Sequence, residues 1–184
     1  MHIFVLTGAG VSAESGLGTF RDAGGLWSMY DLKEVATPEG FARDPAKVHA
    51  FYNMRRRVHR DARPNAAHEA LARLERELPG RGGRLTLVTQ NVDWLHEMGG
   101  AADVIHMHGE ALKVRCDACG DVQRWEDDLA VAQVCARCGR TGTLRPDVVW
   151  FGEVPMHLER IQDALARADL FVAIGTSGTV YPAA

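Results

Sequence analysis

The sequence predicts an α/β fold in which a parallel sheet carries helices on both faces and a small insert interrupts the alternation of strands and helices. Short apolar runs alternate with helical segments along the 184 residues, and such alternation is typical of parallel sheets. The first apolar run leads directly into a glycine-rich turn, and four cysteines form two closely spaced pairs. We therefore expect one main domain with an insert.

The predicted strands are four apolar runs at residues 3–6, 85–89, 104–106 and 170–174, of which the first and the last are expected to be buried. Asp44 followed by Pro45 is typical of a helix start, since a cap residue precedes a first-turn proline. A second helix is expected to begin near Asn65 and to stop at Pro79. A third is expected to open at Pro155.

The composition excludes several classes of protein. Hydrophobic residues make up 46% and charged residues 24%, as in a soluble domain with one core. The formal net charge of -3 gives no positive field for nucleic acid or an anionic membrane. No apolar stretch approaches the roughly 18 residues of a membrane span, and the start does not resemble a signal peptide. We expect a cytoplasmic protein without nucleic-acid or membrane partners.

The glycine-rich turn after the first strand reads Gly8-Ala9-Gly10-Val11-Ser12-Ala13. It matches the dinucleotide fingerprint, in which glycines let backbone N–H groups approach a pyrophosphate. Alone, it also fits a tight turn without a ligand. The many glycines between residues 15 and 30 interrupt the helix that an ordinary dehydrogenase needs. The turn therefore favours a Rossmann-like sheet, and the glycines that follow it disfavour an ordinary dehydrogenase.

The four cysteines predict a structural metal site. Two C-x-x-C pairs are separated by fifteen residues, and their members are Cys116, Cys119, Cys135 and Cys138. Four thiolates at this spacing form a closed tetrahedral Zn²⁺ site without an open position for catalysis, so one structural zinc per chain is expected. Two disulfides or free thiols are the alternatives, and a reducing cytoplasm disfavours disulfides.

Polar residues follow two of the predicted strands. Gln90, Asn91 and Asp93 come after one, at the sheet edge where α/β folds bind ligands, although Asn91 could also cap the next helix. His106 and His108 come at the end of another and face the same side. Either imidazole can titrate near neutral pH, but a packed or solvated histidine is the alternative.

Taken together, these motifs resemble the sirtuins in order and separation over nearly the whole chain. The residues that carry the resemblance are Gly8 to Leu17, Thr19-Phe20-Arg21, Thr89-Gln90-Asn91-Val92-Asp93, His106-Met107-His108-Gly109, the paired cysteines and Gly175-Thr176-Ser177. Sirtuins are NAD-dependent protein lysine deacylases, which transfer the acyl group to ADP-ribose and release nicotinamide. The resemblance implies the same activity here, with acyl-lysine proteins or peptides as substrates.

The resemblance also implies roles for individual residues. His108 matches the catalytic base, with Asn91 and Asp93 as further catalytic residues that orient ribose or water. The NAD-binding residues would be Gly8, Ala9, Gly10, Val11, Ser12, Ala13, Glu14, Ser15, Thr19, Phe20, Arg21, Trp27, Gln90, Asn91, Val92, Asp93, Gly175, Thr176 and Ser177. Val149, Trp150 and Phe151 resemble the segment whose backbone pairs with the substrate peptide.

The acyl group is predicted from two residues on one helix face. Tyr52 and Arg55 resemble the pair in class III sirtuins, which favour succinyl, malonyl or glutaryl lysine. An arginine one turn from a tyrosine offers a planar fork to a substrate carboxylate, and the phenol adds a donor. Ala23 leaves space for a longer acyl group. The alternative is a solvated basic run, because Arg56 and Arg57 follow.

The resemblance divides the single catalytic domain into three parts. The Rossmann-like part covers about 1–40, 80–111 and 146–184, the helical part about 41–79, and the zinc module about 112–145. Sirtuins usually continue through further strands, so we expect a shortened adenosine site and an exposed sheet edge near residue 184. Two rival functions are an ADP-ribosyltransferase or NAD glycohydrolase on the same scaffold, and a non-catalytic zinc-ribbon interaction module.

Overall fold

The computed structural model describes residues 1–19, 30–179, 181 and 183. Seven strands and six α-helices are found there, with 3₁₀ helices at Ala9–Ser15 and Pro79–Arg81. The strands are β1 His2–Thr7, β2 Arg84–Thr89, β3 Val104–His106, β4 Gly109–Cys116, β5 Val122–Arg124, β6 Leu144–Val148 and β7 Leu170–Ile174. The helices are α1 Leu32–Val35, α2 Pro38–Arg43, α3 Pro45–Asp61, α4 Ala66–Glu77, α5 Leu95–Met98 and α6 Leu158–Ala166.

The main sheet is parallel, with strand order β3-β2-β1-β7. Its two faces follow from the alternation of side chains along β1. Ile3 and Val5 pack against Leu71 and Ala72 of α4 on one face. On the opposite face, Phe4 belongs to the cluster that contains Ile161 and Ala164 of α6. The predicted parallel sheet with helices on both faces is therefore confirmed.

Helix starts in the first half of the chain agree with the cap patterns. Asp44 caps α3, and its carboxylate accepts a hydrogen bond from the backbone N–H of Lys47. Asn65 caps α4 in a capping box in which His68 takes the third position. Glutamate or glutamine usually occupies that position. The histidine therefore ties the start of α4 to a second network, described below.

Two predicted elements differ from the structure. The helix expected to open at Pro155 begins at Leu158, after His157 in a left-handed conformation with φ 60°. The strand Leu170–Ile174 forms as predicted, but it is not buried, because in the described part of the chain β7 pairs only with β1. Leu170 and Phe171 are consequently 47% and 50% exposed. An apolar run alone does not tell a central strand from an edge strand.

The insert folds around the antiparallel sheet β5-β4-β6. Its small apolar cluster combines Leu129 and the cysteines Cys116 and Cys135 with Val114 and Leu144 of the flanking strands. The insert therefore depends on those strands and on its cysteines for a core. No helix in the described part of the chain is long and apolar enough to cross a membrane.

Candidate functional site

A cavity of about 340 Å³ opens where β2, β3 and β6 end, beside α3. It brings together residues that are far apart in the sequence but were predicted to share a site. Its lining includes Tyr52, Arg55, Gln90, Val92, His108, Val149, Trp150 and Phe151. Parallel strands deliver their carboxyl ends to one edge, which explains why the loops after β2 and β3 meet there. The end of β6 reaches the same place because Val148 pairs with Gly109 at the start of β4.

Next to this cavity lies a buried polar cluster. The Ser12 hydroxyl donates to Asp93 Oδ2 at 3.0 Å and accepts from Asn91 Nδ2 at 3.1 Å. Asn91 Nδ2 also donates to the carbonyl of Gly8 at 3.2 Å. The backbone N–H of Leu95 donates to the other carboxylate oxygen of Asp93. Asp93, and not Asn91, therefore supplies the hydrogen bond at the start of α5, so the capping interpretation of Asn91 is wrong.

His68 completes this cluster and was not predicted as a site residue. Its Nδ1 accepts a hydrogen bond from the backbone N–H of Asn65, so its Nε2 carries the proton that faces Ser12 Oγ at 3.3 Å. Burial lowers the pKa of His68, and burial raises the pKa of Asp93. The position of His68 three residues after a cap was the only available signal.

His106 and His108 are both held by backbone carbonyls of the loop after β2. His108 Nδ1 donates to the carbonyl of Gln90 at 3.0 Å, and His106 Nδ1 donates to that of Asn91 at 3.2 Å. Burial lowers the pKa of His108. Burial opposes protonation of His106, but the hydrogen bond and charge of Glu97 outweigh it and raise its pKa. The two rings therefore have opposite protonation preferences, and only His108 lines the cavity.

The glycines of the first turn are required by close packing. A Cβ atom on Gly8 or Gly10 would lie 2.8 Å from the backbone of Gly175, a distance that real Cβ atoms do not reach. The N–H of Gly10 donates to the Gly175 carbonyl at 2.8 Å, and Gln90 Nε2 donates to Thr176 Oγ1 at 2.9 Å. The first turn, the loop after β2 and the loop after β7 thus form one contiguous surface.

The remaining predicted cofactor residues differ in position. Val11 and Ser12 are buried in the 3₁₀ helix, whereas Ala13 and Glu14 are exposed. Ser15 Oγ accepts a hydrogen bond from Asn65 Nδ2 at 2.9 Å, which anchors the turn to α4. Ser177 Oγ lies 2.7 Å from Thr179 Oγ1 at the surface. Phe20, Arg21, Ala23 and Trp27 lie outside the described residues, whereas Thr19 is described.

Tyr52 and Arg55 share one face of α3 and line the same wall of the cavity. The Arg55 guanidinium lies 5.8 Å from the centroid of the Tyr52 ring. Tyr52 is buried, which raises the pKa of its hydroxyl, and its oxygen accepts a hydrogen bond from Trp150 Nε1 at 2.9 Å. The neighbouring Arg56 is buried and donates to the carbonyl of Ala111, whereas Arg57 donates to the Asp128 carboxylate at the surface. The three arginines therefore do not form a solvated run.

The backbone N–H groups of the predicted peptide-binding segment are engaged within the chain. Val149 donates to the carbonyl of His108 and Phe151 to that of Ala36, each at 2.9 Å. Trp150 donates its backbone N–H to Glu153 Oε2 at 2.8 Å. A peptide that pairs with these three residues must therefore use their carbonyl oxygens.

The four cysteines converge in the insert, where their sulphur atoms all lie within 4.8 Å of one another. Cys116 Sγ is 3.7 Å from Cys138 Sγ, and Cys119 Sγ is 3.8 Å from Cys135 Sγ. A tetrahedral site with Zn–S bonds of about 2.3 Å requires sulphur separations of about 3.8 Å. All four are free cysteines, so the donor set fits one Zn²⁺ and the disulfide alternative fails.

Comparison with known proteins assigns this architecture to a family. The chain matches the Sir2 family over residues 8–182. It is 62% identical to an NAD-dependent protein deacylase of Caulobacter vibrioides, covering 100% of this chain and 77% of that protein. It is 55% identical to an NAD-dependent protein deacylase of Leishmania major, covering 99% and 76%. A solved Sir2 homolog–NAD complex, 44% identical, superposes with a TM-score of 0.84 over 99% of this chain and 70% of that one. The chain belongs to the Sir2 family.

Proposed function

We propose that this chain is an NAD-dependent protein lysine deacylase with a preference for acyl groups that end in a carboxylate. The observation that carries the proposal is the shared cavity, whose lining brings the imidazole of His108 together with Tyr52 and Arg55. Its relatives from Caulobacter vibrioides and Leishmania major carry the name of NAD-dependent protein deacylases. The reaction passes the acyl group of lysine to ADP-ribose and releases nicotinamide.

The buried polar cluster fits the nicotinamide-ribose half of NAD. Ser12, Asn91 and Asp93 border a small cleft that adjoins Arg55, and hydroxyl, amide and carboxylate groups suit ribose hydroxyls. When bound, NAD supplies an electrophilic ribose carbon and a leaving group. Asn91 is fixed by the carbonyl of Gly8 and by Ser12 Oγ. Its amide is therefore preorganised by hydrogen bonds within the chain, which reduces the ordering needed on binding.

His108 is suited to act as a general base on a ribose hydroxyl. Because Nδ1 donates to the Gln90 carbonyl, the lone pair of the neutral ring resides on Nε2. Burial lowers the pKa of His108, which keeps the ring neutral at physiological pH. The base is thus ready to accept a proton at Nε2.

Arg55 and Tyr52 supply the proposed acyl specificity. Burial lowers the pKa of Arg55, and the charge of Asp93 opposes that shift. A succinyl or malonyl carboxylate would accept two N–H groups from the planar guanidinium fork. An acetyl group would not, so it should be accepted less readily.

Zinc is assigned a structural role in this proposal. The site takes four cysteine ligands and leaves no position for water. The module packs against α3, where Asn53 Nδ2 donates to the carbonyl of Leu129 at 3.0 Å. By ordering the module, a bound metal would support α3 and the cavity from a distance.

Mass spectrometry of matched succinyl-lysine and acetyl-lysine peptides, with and without NAD, tests the proposal. We expect NAD-dependent deacylation, O-acyl-ADP-ribose as product, and a higher kcat/KM for the succinyl peptide. Free ADP-ribose with intact peptide would instead identify an NAD glycohydrolase, and ADP-ribosylated peptide a transferase. Preference for the acetyl peptide would overturn the assigned acyl specificity but not the deacylase activity.

A further inference from the structure

One side chain in the cavity wall controls the hydrogen-bond direction of another. Trp150 Nε1–H donates to the Tyr52 hydroxyl oxygen at 2.9 Å, and both residues are almost completely buried. An indole N–H can only donate, so the phenol oxygen must accept at this contact. The Arg55 guanidinium lies beside this pair, 5.8 Å from the centroid of the Tyr52 ring.

The Tyr52 hydroxyl is consequently able to donate to another group. The indole N–H uses one lone pair of its oxygen, so the hydroxyl proton points away from this contact. Tyr52 keeps that proton, because burial raises the pKa of the phenol. A carboxylate at this point would accept it, and it would accept guanidinium N–H groups of Arg55 as well.

Trp150 itself is fixed by Arg145 and Glu153. The Arg145 guanidinium stacks 3.3 Å from the centroid of the Trp150 ring. Glu153 accepts hydrogen bonds from both Arg145 terminal nitrogens, at 2.7 and 3.0 Å, and from the Trp150 backbone N–H. Arg145 also donates to the carbonyl of Val148 at 3.0 Å. This arrangement fixes the ring plane, and hence the direction of the indole N–H.

We propose that Trp150 is a positioning residue for acyl specificity: its indole N–H holds the Tyr52 hydroxyl as a donor toward acyl groups that carry a terminal carboxylate. The inference deepens the proposed deacylase function and rests on it. It gives the Trp150 side chain a role separate from the peptide-backbone contact predicted for its segment. Acetyl groups lack the carboxylate, so the effect of Trp150 should appear in discrimination between acyl groups.

Trp150→Phe tests this role because it keeps an aromatic ring for Arg145 and removes only the N–H donor and the smaller ring of the indole. We would measure kcat and KM with succinyl and acetyl peptides for wild type, Trp150→Phe, Tyr52→Phe and the double variant. Each single variant should lower the succinyl-to-acetyl ratio of kcat/KM by about tenfold, mainly through KM, as expected for one hydrogen bond to a charged group. In the Tyr52→Phe background, Trp150→Phe should lower the ratio no further.

A purely structural role of Trp150 would lower both activities equally and leave the ratio unchanged, which would overturn the inference. Equal effects of Trp150→Phe with and without the Tyr52 hydroxyl would overturn it too. If the wild type turns over neither peptide, the deacylase proposal itself fails. A wild type that lacks succinyl preference removes both the acyl specificity and the role of Trp150.

A spectroscopic measurement does not depend on the stability of Trp150→Phe. The chain has four tryptophans, so four indole N–H signals are expected in a nitrogen-15 correlation spectrum. Tyr52→Phe should shift one of them upfield and speed its exchange with solvent, because the acceptor of the Trp150 N–H is lost. Four unchanged signals would show that the hydrogen bond does not form.

Discussion

The ring of His108 donates its Nδ1 hydrogen to the carbonyl of Gln90 over 3.0 Å, which fixes the tautomer of the one histidine that lines the cavity in the described part of the chain. The carbonyl can only accept, so Nε2 must carry the lone pair in the neutral ring. Burial lowers the pKa of this imidazole below its ordinary value of 6.5. The pH dependence of activity follows from these two facts.

We expect kcat/KM to rise with pH through an apparent pKa below 6.5 and to be level between about pH 7 and 8, since the base is then neutral. His108→Ala should lower kcat by about 10²- to 10⁴-fold, the usual contribution of a general base. His157→Asn is a matched control, because His157 is exposed and asparagine tolerates its left-handed backbone. An ascending limb centred above pH 7 would contradict the assignment of His108.

Replacing Arg55 by methionine should change acyl selectivity more than any other single change in the cavity. The variant removes a donor fork while it keeps an extended side chain, so the succinyl-to-acetyl ratio of kcat/KM should fall about a hundredfold. Arg57→Met is the control: Arg57 lies two residues away and, among the described residues, forms an exposed pair with Asp128, which is worth about 1 kcal/mol or less. Equal loss of both activities in Arg55→Met would remove Arg55 from the acyl pocket.

The three consecutive arginines from Arg55 to Arg57 show what could and could not be predicted from the sequence. Helical spacing correctly put Arg55 on the Tyr52 face of α3. It did not predict that Arg56 is buried and donates to the carbonyls of Ala111 and Asp127, because these partners come from β4 and from the insert, far away in sequence. The same limit applies to His68 and to the indole of Trp150, whose partners are 56 and 98 residues away in sequence.

Local signals served better for the fold. Strand positions and helix caps depend on a few adjacent residues, and they were predicted closely, as at Asp44 and Asn65. The predicted start of α6 was wrong, because Pro155 does not take the first helical position and His157 directly precedes the helix instead. The predicted burial of β7 was also wrong, because the burial of a strand depends on which strands lie beside it and not only on its own apolar residues.

Removing zinc should unfold the insert and loosen α3. The insert has few aliphatic residues of its own in its core, and two of its buried residues are cysteines. We expect one zinc per chain by elemental analysis and none in Cys119→Ser with Cys138→Ser. The absence of zinc should lower the Tm and abolish deacylation. Co²⁺ should restore both and give the absorption of a tetrahedral cobalt thiolate, because the metal is not the catalyst. Full activity after complete removal of zinc would contradict this account.

His96 should make the protein less stable in mild acid. The Thr7 hydroxyl donates to Thr89 Oγ1 at 2.8 Å, so it accepts from His96 Nε2 at 2.9 Å. His96 Nδ1 is buried and has no partner among the described residues. A proton added there would have no acceptor, and burial, helped by the charges of His68 and His106, lowers the pKa of His96 to about 3.

The unfolded chain binds a proton at this histidine near pH 6.5, whereas the folded chain does so only near pH 3. Stability is therefore lost as the pH falls below 6.5, by up to about 1.4 kcal/mol per pH unit for one group. His59, whose pKa is also lowered to about 3 by burial, should act in the same direction. The raised pKa of His106 acts in the opposite direction, since its contribution is complete below pH 6.5 and fades as the pH rises through its folded value.

His96→Gln keeps a donor for Thr7 and removes the titratable ring, so it separates packing from protonation. Urea unfolding at pH 7 and pH 5 should show a loss of stability on acidification that is smaller by about 2 kcal/mol in this variant than in the wild type. The exposed His157→Asn should keep the wild-type difference. If His96→Gln loses as much stability between pH 7 and pH 5 as the wild type, the buried neutral ring of His96 is not a source of acid sensitivity.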